Sequence, residues 1–330
     1  MLNGDMMRKL VRDSLVAQGV VDAGEGFFLA GELTQKMTEL YELKFPELLA
    51  DRCIPRAAGL DAWAEMVKFQ TLTEYGIAKM IHTWADDIPL ADVAISEESG
   101  LVKKWALGYG WNFEELQQAA RVGRPLEMLR AQATKKGIER ARDDVAWFGA
   151  PEGNVPGFLT NPNIGRGVAA ATGTGPSTLW STKTGANIVL DFKTAFAAME
   201  AATHGTEIPN TVIIASTCWA ELAYKFIDTA STRTVLSFLQ ETYPGVEFIP
   251  VWNLNAIPAA KDPTLLGTGN SRNCMVLYRR DPMNLRQMVN LPFYQLPPFY
   301  NGTSYLIKCL ARMGGTDVRY PLSVYKVEGI

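Results

Sequence analysis

The segment PLEMLRAQATKKGIERARDDVAWFG, from Pro125 to Gly149, carries the longest helical pattern in the chain. Apolar or small residues recur in it every three or four positions, which places them along one stripe of an amphipathic helix. Pro125 suits a first helical turn, and Gly149 can adopt the left-handed conformation that ends a helix. The sequence therefore predicts a spine helix roughly 36 Å long, around which other elements pack. The stripe consists of Leu126, Leu129, Ala133, Gly137, Ala141, Val145 and Phe148.

Length and composition predict an ordinary globular protein. A chain of 330 residues, 47% of them hydrophobic, is long enough for about two domains and a sizeable core. It contains no run of about eighteen apolar residues, and its start, MLNGDMMRKLVRDSL, lacks the apolar block of a secretory signal. We therefore expect synthesis in the cytoplasm and no membrane-spanning segment.

The charges and cysteines argue against several classes of protein. A formal net charge of −3 gives no overall basic signature of a nucleic-acid-binding protein, although it allows a local basic face. The cysteines form no CxxC pair, which argues against a zinc knuckle and a disulfide-dense secreted fold. We expect them to be buried free thiols. They are Cys53, Cys218, Cys274 and Cys309.

Residues 1–60 are interpreted as an N-terminal arm and not as an independent domain. Apolar spacing predicts helices near residues 4–20 and 33–43. The segment that follows contains Pro46 and Pro55, which break regular structure.

From Asp61 to Trp111 the pattern changes to the alternation of β-strands. DAWAEMVKFQ (61–70) and LVKKWALGYGW (101–111) are the predicted strands, and the polar stretch HTWADDIPLADVAISEESG (82–100) lies between them. We interpret residues 61–111 as an antiparallel pair joined by a long excursion, an extended β-loop that reaches away from the body. The alternative is a hairpin packed on its own domain.

Residues 112–187 contain the spine helix, assigned to 125–148, and the segments around it. Asn112 followed by Glu115 resembles a capping box and predicts a short helix before the spine. A connection rich in glycine and proline follows the spine, and residues 165–187, rich in Gly, Ser and Thr, are predicted to form a surface loop.

Residues 188–281 predict a compact α/β unit. Asp191 is expected to cap the helix FKTAFAAMEAA, and two further helices are predicted in CWAELAYKFID and TRTVLSFLQET. TVIIAS, VEFIPVW and CMVLYRR are the predicted strands. Residues 282–330 are strand-like again, with a turn expected at Gly314 and Gly315, and should return to the domain that contains the spine helix.

Chemically reactive residue types occur without the spacing that a catalytic or metal site needs. His82 and His204 are the only histidines, which excludes a three-histidine metal site, and neither lies in an HExxH frame. Asp86 and Asp87 would point to opposite faces of a strand and therefore cannot act as a carboxylate pair. Asp143 and Asp144 are interpreted as solvated helix charges.

Short motifs also fail as site signatures. The glycine-rich segment 173–178 lacks the lysine of a P-loop, and the one near Gly267 opens no clear helix. A KTG at 183–185 and an SxxK at 323–326 stand in the reverse of the order used by penicillin-recognising enzymes. We therefore assign no catalytic residue, no cofactor-binding residue and no metal ligand.

Four segments and the order of the elements resemble the major capsid proteins of tailed bacteriophages, which have the Hong Kong 97 type of fold. The segments are WADDIPLADV (84–93), GYGWNFEELQQA (108–119), RARDDVAWFG (140–149) followed by GFLTNP, and RMGGTDVRYPLSVY (312–325). The likeness covers most of residues 60–330.

The resemblance implies an α+β fold. Its parts would be an N-terminal arm (1–60), an extended β-loop (61–111), a peripheral domain with the spine helix (112–187), an α/β axial domain (188–281) and strands returning to the peripheral domain (282–330). It implies a major capsid protein without chemistry of its own. This protein would self-assemble as hexamers and pentamers into an icosahedral shell around a double-stranded DNA genome, with the β-loop lying over a neighbouring subunit.

The resemblance also implies partners and a location. Scaffolding, portal and decoration proteins are expected partners, and the mature protein is expected in the virion capsid after assembly in the host cytoplasm. The start at Met1 predicts that no scaffolding segment is removed.

Two alternative functions remain open at this point. An encapsulin-type bacterial compartment would share the fold and enclose a cargo enzyme. A hydrolase would use Ser177 or Ser216 as its nucleophile, but no histidine stands in a recognisable relation to either serine.

Basic residues exceed acidic ones between Arg121 and Asp144. This excess could face packaged DNA and offset its phosphate charge without sequence preference. Alternatively it is a solvated helix face with ion pairs such as Lys135 with Glu139 and Arg140 with Asp144.

Overall fold

The computed structural model describes residues 45–80, 88–122, 126–175, 177–228, 232–266 and 271–330. The chain divides into two compact units, Met1–Pro46 and Glu47–Ile330, and the following description concerns the second. The helices expected near 4–20 and 33–43, and also His82, Asp86 and Asp87, lie outside the described residues.

The described part of the chain alternates helices and strands in an α+β arrangement. Its helices are α1 (Ala50–Cys53), α2 (Phe113–Val122), α3 (Leu126–Phe148), α4 (Gly185–Thr203), α5 (Ser216–Tyr224) and α6 (Val235–Thr242). Its strands are β1 (Met66–Tyr75), β2 (Asp92–Leu101), β3 (Lys103–Asn112), β4 (Gly165–Val168), β5 (Thr211–Ala215), β6 (Glu247–Val251), β7 (Ile257–Pro258), β8 (Ser271–Arg272), β9 (Cys274–Tyr278), β10 (Leu285–Gln295), β11 (Phe299–Asn301), β12 (Ser304–Val318) and β13 (Val324–Glu328).

Two larger sheets organise these elements. A mixed five-stranded sheet has the order β4-β13-β9-β5-β6, in which β4 with β13 and β5 with β6 run parallel. In the four-stranded sheet the long strand β12 pairs with β3 on one edge and with β10 and β11 on the other. The strands β1 and β2 form a separate antiparallel ribbon.

The helix α3 confirms the predicted spine. It ends at Phe148, and Gly149 follows with a positive φ of 71°. A Cβ at this glycine would lie 2.3 Å from the Val155 carbonyl oxygen, so both the turn and the close approach require glycine. Near its N-terminal end the predicted stripe is wrong, since Leu129 and Ala133 are exposed.

The spine helix contributes to two hydrophobic cores. Ile138 and Val145 pack with side chains of β3 and β12, including Tyr109 and Ile307. The last turn, with Ala146 to Phe148, belongs to the core around the five-stranded sheet. The sequence could not assign these faces, because both sets of partners are distant in the chain.

The ribbon corrects the predicted pairing of the extended loop. β1 pairs with β2, from Met66 opposite Leu101 to Tyr75 opposite Asp92. The sequence had assigned residues 92–100 to the polar excursion and residues 101–111 to the second strand. The latter segment forms β3 and pairs with β12, because its alternating aromatic side chains Tyr109 and Trp111 are buried under α3.

The C-terminal segment returns only in part to the spine helix. β10 and β12 pack near α3 as expected, but β13 joins the five-stranded sheet between β4 and β9. The expected turn at Gly314 and Gly315 is also wrong. β12 runs through both residues, and a register shift opposite Met288 and Val289 produces a bulge at which Gly315 has a φ of 76°.

Two buried aspartates correct further expectations. Asp191 does not cap a helix, because α4 begins at Gly185 and is capped by Thr184, whose hydroxyl accepts from Asn187 N–H. Asp191 lies buried inside α4. Asp143 is also buried and not solvated, since one carboxylate oxygen accepts from Ala50 N–H at 2.9 Å and the other from Asn253 Nδ2 at 3.1 Å.

Candidate functional site

The β1–β2 ribbon exposes apolar side chains along most of its length. Leu72 faces Ile95 across the ribbon, and Val93 lies beside them on the same face. These three side chains are 58%, 63% and 52% exposed. Monomeric proteins rarely leave such a contiguous apolar patch in water, and an isolated two-stranded ribbon is only marginally stable. This face therefore has the character of a contact surface.

Further apolar residues extend this surface past the ends of the two strands. Ile77 and Met80 follow β1, and Ile88 and Leu90 precede β2. All four side chains are exposed. We call the set Leu72, Ile77, Met80, Ile88, Leu90, Val93 and Ile95 the ribbon patch.

The base of the ribbon is held firmly by the body of the protein. Phe69 is buried there, and the guanidinium groups of Arg286 and Arg319 lie 4.8 and 4.9 Å from its ring centre. Burial lowers the pKa of Arg286 and raises the pKa of its ion-pair partner Asp317. The ribbon is thus anchored at one end, while its apolar patch lies beyond the anchor.

A second exposed surface surrounds β11 and the start of β12. An open groove of about 420 Å³ lies there, and its wall includes Trp111, Phe299 and Tyr305. Arg130 on α3 forms an ion pair with Glu115 on α2 at 3.0 Å along this groove. The hydrogen bond from Arg130, helped by one from the Asn112 backbone, lowers the pKa of Glu115, and the latter bond matches the predicted capping box.

Several charges of the spine helix have partners in distant segments. Arg142 pairs with Asp51 at 2.6 Å, and Asp144 pairs with Lys261 at 2.7 Å. Lys135 and Lys136 lie exposed on the helix. The basic excess that remains at the surface is therefore smaller than the sequence count indicates.

The structure does not assemble the hydrolase residues that the sequence offered. The Ser216 hydroxyl accepts from Asn255 Nδ2 at 2.7 Å, and the Ser177 hydroxyl accepts from Leu179 N–H at 3.2 Å. His204 ends α4 in a left-handed conformation, with a φ of 51°. The hydrogen bonds described for these two serines thus involve no histidine.

The cysteines are free and buried, as predicted from their spacing. Burial raises the pKa of Cys53 and of Cys274 to about 12, so both thiols stay protonated at neutral pH. Within the described ranges, no three His, Cys, Asp or Glu residues are grouped to hold a metal ion. Among the helices described, none is both long and apolar enough to cross a membrane.

Sequence reasoning missed two buried ion clusters. Lys183 pairs with Asp191 at 2.5 Å, and Lys326 contacts Asp262 and Glu328. In the sequence, Lys183 and Lys326 stand out only as parts of the KTG and SxxK motifs. The partners Asp262 and Lys326 are far apart in the chain, so spacing gave no signal for the second cluster.

Comparisons with known proteins agree on one kind of fold. A family model described as "Major capsid protein" matches residues 76–330. The capsid of Myoviridae phage XM1 has a similar structure, with a TM-score of 0.77 at 17% identity over 92% of this chain and 99% of that chain. No curated protein matches the chain.

Two other solved structures show the same fold at low identity. The capsid of a native GTA particle has a TM-score of 0.64 at 13% identity over 93% of this chain and 99% of that chain. A chain of Mycobacterium phage Ogopogo has a TM-score of 0.56 at 11% identity over 91% of this chain and 97% of that chain. The α+β fold expected from the sequence, of Hong Kong 97 type, agrees with these structures.

Proposed function

Since the chain belongs to the major capsid protein family and forms capsid shells, we propose that its ribbon patch is the surface that joins each copy to a neighbour in hexamers and pentamers. The shell would enclose the double-stranded DNA of a tailed bacteriophage. The exposure of the cross-strand pair Leu72 and Ile95, which lie beyond the anchored base of the ribbon, is the observation that carries this proposal.

The estimated free energy of this contact fits a weak interface that is repeated throughout a shell better than a single tight interface between two copies. Complete burial of a Val, Leu or Ile side chain contributes about 1.5–3 kcal/mol, so covering three half-exposed ones contributes a few kcal/mol for each copy. Binding of that size is weak for an isolated pair. In a closed shell every copy makes the contact at the same time, and the contributions combine through multivalency.

The parts of the shell subunit follow from this assignment. The segment before α1 would be the arm, and the ribbon would be the extended loop that lies over a neighbour. The four-stranded sheet with α3 would form the peripheral domain. The five-stranded sheet with α4, α5 and α6 would form the axial domain near the five-fold and six-fold positions, now with β4 and β13 included.

Contact with the genome would be weak and nonspecific. Lys135 and Lys136 are exposed basic residues of the spine helix, and a face that carries them can offset phosphate charge. Scaffolding, portal and decoration proteins would complete the particle, and assembly would take place in the host cytoplasm. The family match does not favour an encapsulin-type compartment.

A pair of matched variants tests the proposal. Leu72→Glu with Ile95→Glu places two charges on the apolar face of the ribbon. Thr71→Glu with Ser96→Glu makes the same change in the neighbouring cross-strand pair on the opposite face. Electron microscopy of the expressed proteins should find shells, tubes or capsomer rings for the wild type and the control, and unassembled folded protein for the first variant.

Two results would contradict the proposal. One is a wild-type protein that persists as a small monomer, and the other is normal assembly of the Leu72→Glu, Ile95→Glu variant. The contents of wild-type particles separate the two shell functions, since nuclease-protected double-stranded DNA supports a phage capsid and an enzyme cargo supports a compartment.

A further inference from the structure

Three ionisable side chains lie together at strand β13 of the five-stranded sheet, each without exposed area. They are Lys326, Glu328 and Asp262. Lys326 and Glu328 are two residues apart on β13, so their side chains leave the same face of the strand. Lys326 Nζ contacts Asp262 Oδ2 and lies 3.2 Å from Glu328 Oε1. The cluster joins the last strand to the loop after β7.

The surroundings disfavour charge in this cluster. The residues opposite Lys326 and Glu328 on β9 are Val276 and Cys274, and both are fully buried. Burying three charges away from water is costly, and a reaction that joins the amine to one carboxyl group removes two of them.

The carboxyl group of Asp262 is held in one orientation. Its Oδ1 accepts hydrogen bonds from the N–H of Thr264, at 3.0 Å, and from the Thr264 hydroxyl, while Oδ2 faces the amine. Arg166 Nη1 donates to the Thr264 carbonyl oxygen at 2.6 Å and holds this turn in place. Two donors on Oδ1 stabilise the negative charge that develops there when a nucleophile attacks the carboxyl carbon.

Glu328 is placed to move a proton. Its Oε2 accepts from Leu266 N–H at 2.6 Å, which fixes the carboxylate. Its Oε1 is buried and makes no hydrogen bond with any residue that the structure describes. A buried carboxylate oxygen that lies 3.2 Å from an amine nitrogen, and that has no hydrogen bond within the described part of the chain, has the position of a general base.

We propose that Lys326 and Asp262 become joined by an isopeptide bond within one chain. Lys326 Nζ passes one proton to Asp262 Oδ2, with which it is already in contact, and then attacks Asp262 Cγ. The new N–C bond forms, and Glu328 Oε1 takes a second proton from the nitrogen. Glu328 then gives this proton to the hydroxyl at Oδ2, the Cγ–Oδ2 bond breaks, and water leaves. No oxidant, reductant or cofactor is consumed, and the fixed approach of the two groups supplies the effective concentration that the reaction needs.

This bond goes beyond shell formation, because both partners belong to the same chain. It would link β13 covalently to the loop after β7, between two residues that are 64 positions apart in the sequence. A shell subunit stapled in this way resists unfolding from its C-terminal strand, whether or not it has assembled.

A second buried lysine provides a natural control. Lys183 lies 2.5 Å from Asp191, and both side chains are buried. The third group there is the indole of Trp180, whose Nε1 donates to the same oxygen of Asp191. An indole N–H donates and cannot accept a proton. Lys183 should therefore stay unmodified.

Mass spectrometry of the full-length denatured protein tests the proposal. The intact mass should be lower than the sequence mass by one water molecule. Trypsin should release one branched species that joins residues 262–272 to residues 320–330, because an acylated Lys326 is not cleaved. Peptides containing Lys183 should be unmodified, and Glu328→Gln should restore the full mass.

Two results would contradict the proposed bond or the proposed role of Glu328. An intact mass equal to the sequence mass, with residues 320–326 recovered as a free tryptic peptide, would overturn the bond. Water loss that persists in Glu328→Gln would overturn the role of Glu328. Neither readout depends on assembly, so this proposal and the proposed shell function can fail separately.

Discussion

The β1–β2 ribbon and the strands β5 and β9 are both regular β-structure, but they are stabilised in different ways. Every residue of β5 and β9 is buried, whereas Phe69 is the only buried residue of β1 and β2. The five-stranded sheet is therefore complete within one chain. The ribbon has ladder hydrogen bonds without a core of its own, which is the expected state of an element whose core is completed by another copy.

The largest expected effect on stability comes from making the same substitution, Ile→Ala, in both regions. Ile213→Ala in β5 removes a fully buried side chain and should lower the free energy of unfolding by about 2–5 kcal/mol. Ile95→Ala in the ribbon should change it by less than about 0.5 kcal/mol, because that side chain is largely exposed in the single chain. Denaturant titration of the unassembled proteins measures both values. Similar losses in the two variants would break the comparison.

A smaller effect is expected where the chain enters the ribbon region. Asp143 accepts hydrogen bonds from Ala50 N–H in α1 and from Asn253, so Asp143→Ala leaves one buried and one half-buried donor without this acceptor. This should lower the unfolding free energy by about 1–3 kcal/mol. Asp144→Ala is the matched control, since it breaks an exposed pair with Lys261 and should cost at most about 1 kcal/mol. Equal losses in the two titrations would mean that the contacts of Asp143 do not stabilise this junction.

Local signals in the sequence predicted part of the fold correctly. The end of α3 follows from Gly149, and β5, β6 and β9 follow from short apolar runs. β2 was missed because both of its faces are exposed, and its only alternation, Val93 and Ile95 among small or polar residues, ends at the polar run EESG.

The buried charged residues could not be predicted from the sequence for a different reason. Asp143 looks like a solvated helix residue until Ala50 and Asn253 are placed beside it. Lys326 looks like an ordinary strand residue until Asp262 is placed beside it. The signal in each case lies in a distant segment, and neither period nor motif reports such contacts.

Hydrogen–deuterium exchange on assembled and dissociated protein tests the central claim most directly. Amides of β1 and β2 should exchange rapidly in the dissociated protein and become strongly protected in shells, while β5 and β9 should be protected in both states. A ribbon that exchanges at the same rate in shells and in dissociated protein would contradict its assignment as the surface between copies.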